Sequence, residues 1–179
     1  MQVILFDFPG VPGEVTIAGY EDQISLESFD MNSAPAGARM GRPAIGQGNN
    51  DAEDGGDGIS GMRLGIDSIT LRKSVDKATP ALIDLAFSKP TKIETPARIR
   101  VFRAHEKEGG GVAGGKIQWH EPFLEMEFIE PRIAGHTVNI GKDSLNETVQ
   151  LGFKTLTMTY TVYRNGNRVG RISRTINLA

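Results

Sequence analysis

Thr148-Val149-Gln150-Leu151-Gly152-Phe153-Lys154-Thr155-Leu156-Thr157-Met158-Thr159-Tyr160-Thr161-Val162-Tyr163-Arg164, then Asn165-Gly166, then Arg168 to Asn177, is a run of strand signals. Apolar and polar residues alternate at a spacing of two, the period at which successive side chains leave opposite faces of a strand. Asn-Gly favours positive φ and closes a tight hairpin between the last two runs. Midway through the first run the phase slips, because Val149, Leu151 and Phe153 give way to Leu156, Met158, Tyr160 and Val162. A slip of one residue moves the second set to the other face. Leu64 and Ile66 before Ile69 and Leu71 repeat the slip, as do Ile24 and Leu26 before Phe29 and Met31. Either a β-bulge restores one face, or each strand is long enough to bury opposite faces at its two ends. Long, bent strands of that kind suit a closed barrel, or a sheet that continues into a neighbouring subunit.

The same pattern extends through the chain and predicts about eight strands, over residues 2–8, 23–31, 62–73, 92–104, 116–129, 132–141, 148–164 and 168–177. The expected fold is all-β with one short helix, an antiparallel β-barrel in a single domain over residues 1–179. The helix is expected at 79–88, where Thr79 can cap the first turn, Pro80 suits the first helical position and Pro90 forbids continuation. Leu82, Leu85 and Ala86 fall on one face, which should lie against the barrel, since so short a helix is marginal alone. Residues 32–61 carry eight glycines and no sustained period, and read as one extended loop. Loops of that length inside a compact domain are usually functional or disordered.

Composition narrows the function classes. With 39% hydrophobic and 23% charged residues the 179-residue chain matches globular averages. Its formal net charge of −2 gives no overall basic character, and the densest basic stretch, Arg98, Arg100 and Arg103, alternates with Ile99 and Val101 as the solvent face of a strand does, so no nucleic-acid partner is expected. The chain has no cysteine, hence no disulfide and no thiolate metal site. Asp7 interrupts the first apolar run and no basic residues precede it, so no signal peptide is expected. No stretch approaches the ~18 apolar residues of a membrane span. A protein made in the cytoplasm that left the cell would have to travel by a route that reads the folded chain.

Candidate chemistry is weak throughout. Residues 110–116, Gly-Gly-Val-Ala-Gly-Gly-Lys, match the glycine and lysine spacing of a phosphate-binding loop. Ile117 stands where a magnesium-binding Ser or Thr is needed, and Pro122 opposes the helix that should follow, so a hairpin tip is the better reading. His105, His120 and His136 are not spaced as a ligand pair. Asp51, Glu53, Asp54 and Asp57 crowd a glycine-rich stretch but lack the ligand order and flanking helices of an EF-hand. No serine sits on a strand-turn-helix elbow. The expectation is no enzyme, no cofactor and no metal.

At Arg72-Lys73-Ser74-Val75-Asp76-Lys77-Ala78-Thr79-Pro80-Ala81-Leu82 the sequence resembles the haemolysin co-regulated protein (Hcp) family, in which a strand with a lysine near its end enters an Asp-Lys-Ser/Thr-Thr/Ser-Pro-like turn and then the single helix. Asn146-Glu147-Thr148-Val149-Gln150-Leu151-Gly152-Phe153 is similar to the family's Glu-x-Val-x-Leu-x-Phe strand. Ile24-Ser25-Leu26-Glu27-Ser28-Phe29 is similar to its second strand, and a glycine-rich loop follows in the expected place. The motif residues carried over are Asp76, Lys77, Thr79, Pro80, Leu82, Val149, Leu151 and Phe153. The likeness spans essentially the whole chain, with identity confined to short stretches. The glycine content of 106–121 and the acidic cluster at 51–57 depart from the pattern.

The resemblance implies a structural subunit of the type VI secretion inner tube: a homohexameric ring with a wide channel, stacked head to tail, assembled in the cytoplasm inside a contractile sheath and expelled without a signal peptide. The implied partners are copies of itself, the spike protein at the tip, the sheath, and small effector proteins carried in the channel. The loop, with Arg39, Met40, Arg42, Ile45, Asn49, Asn50 and Asp51, would contact the next ring. Since the last strand ends near Ala179, no fused effector is expected. Two other readings keep the architecture: the tail tube of a phage or phage-like contractile particle, and a monomeric barrel that binds a small ligand.

Overall fold

The computed structural model describes residues 2–31, 68–88, 92–103, 121–142, 144–164 and 167–177. They form ten strands and one helix: β1 Gln2–Asp7, β2 Ile24–Leu26, β3 Ser28–Met31, β4 Ile69–Ser74, α1 Thr79–Phe87, β5 Ala97–Arg103, β6 Leu124–Ile129, β7 Arg132–Ile140, β8 Leu145–Gly152, β9 Thr155–Arg164 and β10 Asn167–Asn177. Every strand pairing is antiparallel, as the period-two pattern requires. The ladders make a six-stranded sheet, β10-β9-β6-β5-β1-β2, and a four-stranded sheet, β3-β4-β8-β7.

Two of the three phase slips share one physical origin. At Glu27 the chain leaves β2 in the six-stranded sheet and enters β3 in the four-stranded one, and at Phe153-Lys154 it leaves β8 for β9 in the reverse direction. A strand that turns from one sheet into the facing sheet must reverse which side chains point to the core, so the apolar residues change phase at the corner. Two of the eight expected strands therefore appear as four. The third slip, at residues 64–71, straddles the start of β4, and its first half lies outside the described residues. Glu27 N–H donates to the carbonyl of Arg72 at 2.9 Å, which ties the first corner to β4.

One core fills the space between the sheets. Phe6, Ile99, Met126, Phe128 and Leu156 come from the larger sheet and Ile69, Leu71, Ile133, Val149 and Leu151 from the smaller, all in one buried cluster. Phe153, at the second corner, packs its ring 5.1 Å from that of Phe128. β5 starts at Ala97 rather than Lys92 because Pro96 cannot donate to a ladder. Arg164 pairs with Asn167, so β9 and β10 are joined by the two-residue connection expected of Asn165-Gly166.

The helix lies as expected, with Leu82 buried and Ala81, Leu85 and Ala86 packed against the core. Its start differs. The residue preceding the first turn is Ala78, and Thr79 is already helical. The capping falls to a reciprocal pair instead: Ala78 N–H donates to Asp76 Oδ1 at 2.8 Å, and Asp76 N–H donates to Thr79 Oγ1 at 3.0 Å. Two backbone donors that the helix cannot satisfy are met by two side chains three residues apart.

Candidate assembly surfaces

The motif at the β4–α1 junction is built around a buried cation. Lys73 sits on β4 with its side chain 1% exposed, and its ammonium donates to the carbonyl of Ser74 at 2.7 Å, to Asp76 Oδ1 at 2.8 Å and to Glu147 Oε1. Three donors thus meet three acceptors. Glu147, on the neighbouring β8 and fully buried, also meets His136 Nε2 of β7 at 3.1 Å through its other oxygen. Register brings these residues together, since β4 pairs Lys73 with Glu147 and β7 lies on the other side of β8. Charges removed from water are tolerated when paired and fully hydrogen-bonded, and this cluster meets both conditions. It joins three strands to the helix entry through Asp76.

The remaining motif residues are also structural. Leu82, Val149 and Leu151 are completely or almost completely buried, Phe153 nearly so, and Pro80 occupies the first turn. Lys77 is the exposed member: its N–H donates to Glu14 Oε1 at 3.0 Å and its ammonium pairs with Asp22 at 3.0 Å. An open groove of about 230 Å³ beside the junction is lined by Glu14, Glu27 and Asp76 among others. Its carboxylates are engaged, Glu14 by Lys77, Glu27 by the Ser74 hydroxyl at 2.6 Å and Asp76 by Lys73. No group of three or more metal-ligating side chains occurs among the described residues. No described helix is long and apolar enough to cross a membrane. The loop residues Arg39, Met40, Arg42, Ile45, Asn49, Asn50 and Asp51 lie outside the described residues, as do His105, His120 and the glycine run at 110–116.

Two outward surfaces stand out. The outer face of the six-stranded sheet carries an apolar patch, Leu5 and Phe102 covered by Ile17 and Tyr20, and beside it paired polar groups: Arg98 meets Glu127 at 2.8 Å, Arg100 meets Glu125 at 2.9 Å and Asp7 at 3.4 Å, and Thr157 and Thr159 bond Thr175 and Ser173 across the last hairpin. Arg98 and Arg100 share the outward face of β5, but only Arg98 reaches solvent to any extent; Arg100, 13% exposed, is covered and lies 5.8 Å from the Tyr20 ring. Beyond β6 and β9, β10 forms the edge of the sheet and is exposed at every residue but Ile176. Val169 and Ile172 of β10 are more than half exposed, as is Ile140 at the end of β7, the edge of the other sheet.

Glu121 marks the basic side of this edge. It accepts from Arg168 at 2.9 Å and Arg171 at 3.2 Å, and Tyr163 Oη donates to its backbone carbonyl at 3.1 Å. The Arg168 hydrogen bond holds the Glu121 carboxyl below its ordinary range, while burial raises the phenols of Tyr20 and Tyr163. Sequence reading missed both the arginine grouping and the Lys73 cluster. The arginines are three apart on one strand, and only the ladder puts them beside Glu121. Lys73, His136 and Glu147 are 63 and 11 residues apart, and only burial distinguishes them from surface charges.

A two-sheet antiparallel domain whose buried charges hold its frame, and whose long strand edge is left open, is a building block in class. The family model for the type VI secretion system effector Hcp matches residues 6–160, so the chain belongs to the Hcp family, and its role is that of a subunit of the type VI secretion tube. Among solved structures it is similar to Hcp1 from Salmonella typhimurium, at 19% identity and a TM-score of 0.67 over 99% of this chain and 95% of that one. It is also similar to a type VI secretion system effector from Yersinia pestis, at 13% identity and TM-score 0.63 over 97% and 98%, and to the secreted protein Hcp3 from Pseudomonas aeruginosa, at 14% identity and 0.57 over 99% and 97%. At these identities the likeness is one of fold. No curated protein matches the sequence.

Proposed function

We propose that the whole chain, residues 1–179, acts as one domain that closes into a six-membered ring, and that these rings stack head to tail into the inner tube. The observation that carries this reading is the family match over residues 6–160, together with a fold shared along almost the full length of the Hcp structures. Head-to-tail contacts that close give a ring, and a second kind that does not close gives a filament. The role is structural rather than catalytic: the interior charges at Lys73, Asp76, Glu147 and His136 are spent on each other, and the open edges suit self-association.

The tube is assembled in the cytoplasm within the sheath, carries the spike at its tip and small effectors in its channel, and is expelled from the cell by sheath contraction. The loop at 32–61 contacts the next ring through Arg39, Met40, Arg42, Ile45, Asn49, Asn50 and Asp51. Light scattering of the purified protein, with electron microscopy of the same fraction, tests the ring; a monomer at high concentration would refute it. Deletion of residues 38–55 should leave rings intact and abolish tubes and secretion, and unchanged tubes would remove the loop from the stacking contact.

A further inference from the structure

We infer that residues 12–23 form a hinged strap over the outward face of the six-stranded sheet, that Lys77 latches it to the entry of α1, and that it opens as a unit while the rest of the domain stays folded. The strap leaves the core at Val11 and rejoins it at Ile24, both members of the buried cluster. Between them its backbone bonds are made to itself. Gly13 N–H donates to the carbonyl of Asp22 at 2.6 Å, Asp22 N–H to that of Val15 at 2.9 Å, Val15 N–H to that of Gln23 at 3.1 Å and Tyr20 N–H to that of Ile17 at 2.9 Å. Gly19 N–H meets Glu21 Oε2 at 2.9 Å. A segment bonded in this way can swing without breaking its own hydrogen bonds. Gly10, at φ +79°, stands just before it and supplies the hinge, since glycine turns freely where other residues do not.

What the strap covers is apolar. Leu5 and Phe102 are buried yet stand outside the core cluster, because β1 and β5 turn them to the side opposite Phe6 and Ile99. Ile17 and Tyr20 lie over them and line a shallow apolar cleft with them. The Tyr20 ring meets that of Phe102 edge-on at 4.8 Å, and the Arg100 guanidinium lies 5.8 Å from the same ring. Ile17 and Tyr20 are themselves only partly buried.

Among the described residues two hydrogen bonds tie the strap to the rest of the domain, and both go to Lys77: its N–H donates to Glu14 Oε1 and its ammonium to Asp22 Oδ1, each at 3.0 Å. Both are exposed, and exposed pairs hold weakly. At the root of the strap Gln23 Oε1 is buried and meets no donor among the described residues, which penalises the closed form. A self-bonded segment with few outside attachments opens at a lower free energy than the whole domain does. Lys77, the exposed residue of the β4–α1 motif, thereby acquires a role. It follows Asp76, which holds Lys73 and caps α1, so it joins the helix entry beside the four-stranded sheet to the strap on the other sheet. Release of this latch presents Leu5 and Phe102 as an apolar surface.

Thiol labelling tests the strap directly, because the chain has no cysteine of its own. Leu5→Cys places a single thiol beneath the strap, and Leu71→Cys places one in the core as a reporter of global unfolding. Both are labelled with an excess of an aromatic disulfide at one fixed protein concentration, so that assembly is the same throughout. The rate for Leu5→Cys should stay flat at low urea, since strap opening exposes little surface, while that for Leu71→Cys climbs steeply. Adding Lys77→Met should speed Leu5→Cys labelling by up to about fivefold. Adding Ile69→Val, which weakens the core and leaves the latch intact, should change it by less than about twofold. A Leu5→Cys rate that climbs with urea as steeply as the core reporter overturns the proposal, as does one that Lys77→Met leaves unmoved or one that Ile69→Val raises as much as Lys77→Met does. Should Leu5→Cys fail to fold, Ile17→Cys on the underside of the strap is labelled in its place, and the same three comparisons decide.

Discussion

Replacing Lys73 by methionine should destabilise the protein far more than replacing Lys77, although the two stand four residues apart in the same motif. Methionine keeps most of the lysine stem and removes the ammonium. Glu147, fully buried, would then keep only His136 as a partner, and Asp76 would lose the cation that lies beside its helix-capping carboxylate. Stranding one member of a buried ion pair costs about 3–5 kcal/mol, a large part of the roughly 5–15 kcal/mol that a domain has in total. Lys77 pairs with Asp22 across open solvent, with side chains 47% and 72% exposed, and such pairs are worth about 0–1 kcal/mol. Urea unfolding followed by far-ultraviolet circular dichroism, at one fixed protein concentration because assembly shifts apparent stability, gives both values. Adding Glu147→Gln to Lys73→Met should recover part of the loss, because the charge left without its cation is removed with it. A cost for Lys73→Met below about 1 kcal/mol, or equal to that for Lys77→Met, would refute the claim that this cluster holds the frame together.

Two further outcomes follow from local geometry and charge. A methyl group added by Gly13→Ala would lie 2.1 Å from the backbone oxygen of Gln23, so the segment before β2 must move, and overpacking of this kind costs about 1–3 kcal/mol; an unchanged urea midpoint would show that the two backbones are not so close. For Glu121, a carboxylate held below its ordinary value of 4.5 by Arg168 contributes stability above that value and loses it as the pH falls through its lowered folded value. NMR titration of its carboxyl carbon should show a midpoint below 4.5 that rises in Arg168→Gln, and an unmoved midpoint would rule out the arginine as the cause.

What the amino-acid sequence determined by itself was everything that depends on local spacing. The period of two identified antiparallel strands, and Asn165-Gly166 placed the last hairpin. Pro80 and Pro90 bracketed the helix, and the Asp76 to Leu82 motif carried the resemblance that the family match bears out. The phase slips at Glu27 and at Phe153-Lys154 were visible too, but their meaning was not, because a bulge, a long bent strand and a corner between sheets all change the apolar phase by one residue. Only the pairing of β2 with β1 and β3 with β4, and of β8 with β4 and β9 with β6, shows that the chain changes sheets at those points. The same limit hid the chemistry of the interior. Lys73, His136 and Glu147 look like ordinary surface residues until register and burial bring them together, since a charge's environment is set by the strands that pack around it rather than by its neighbours in the chain.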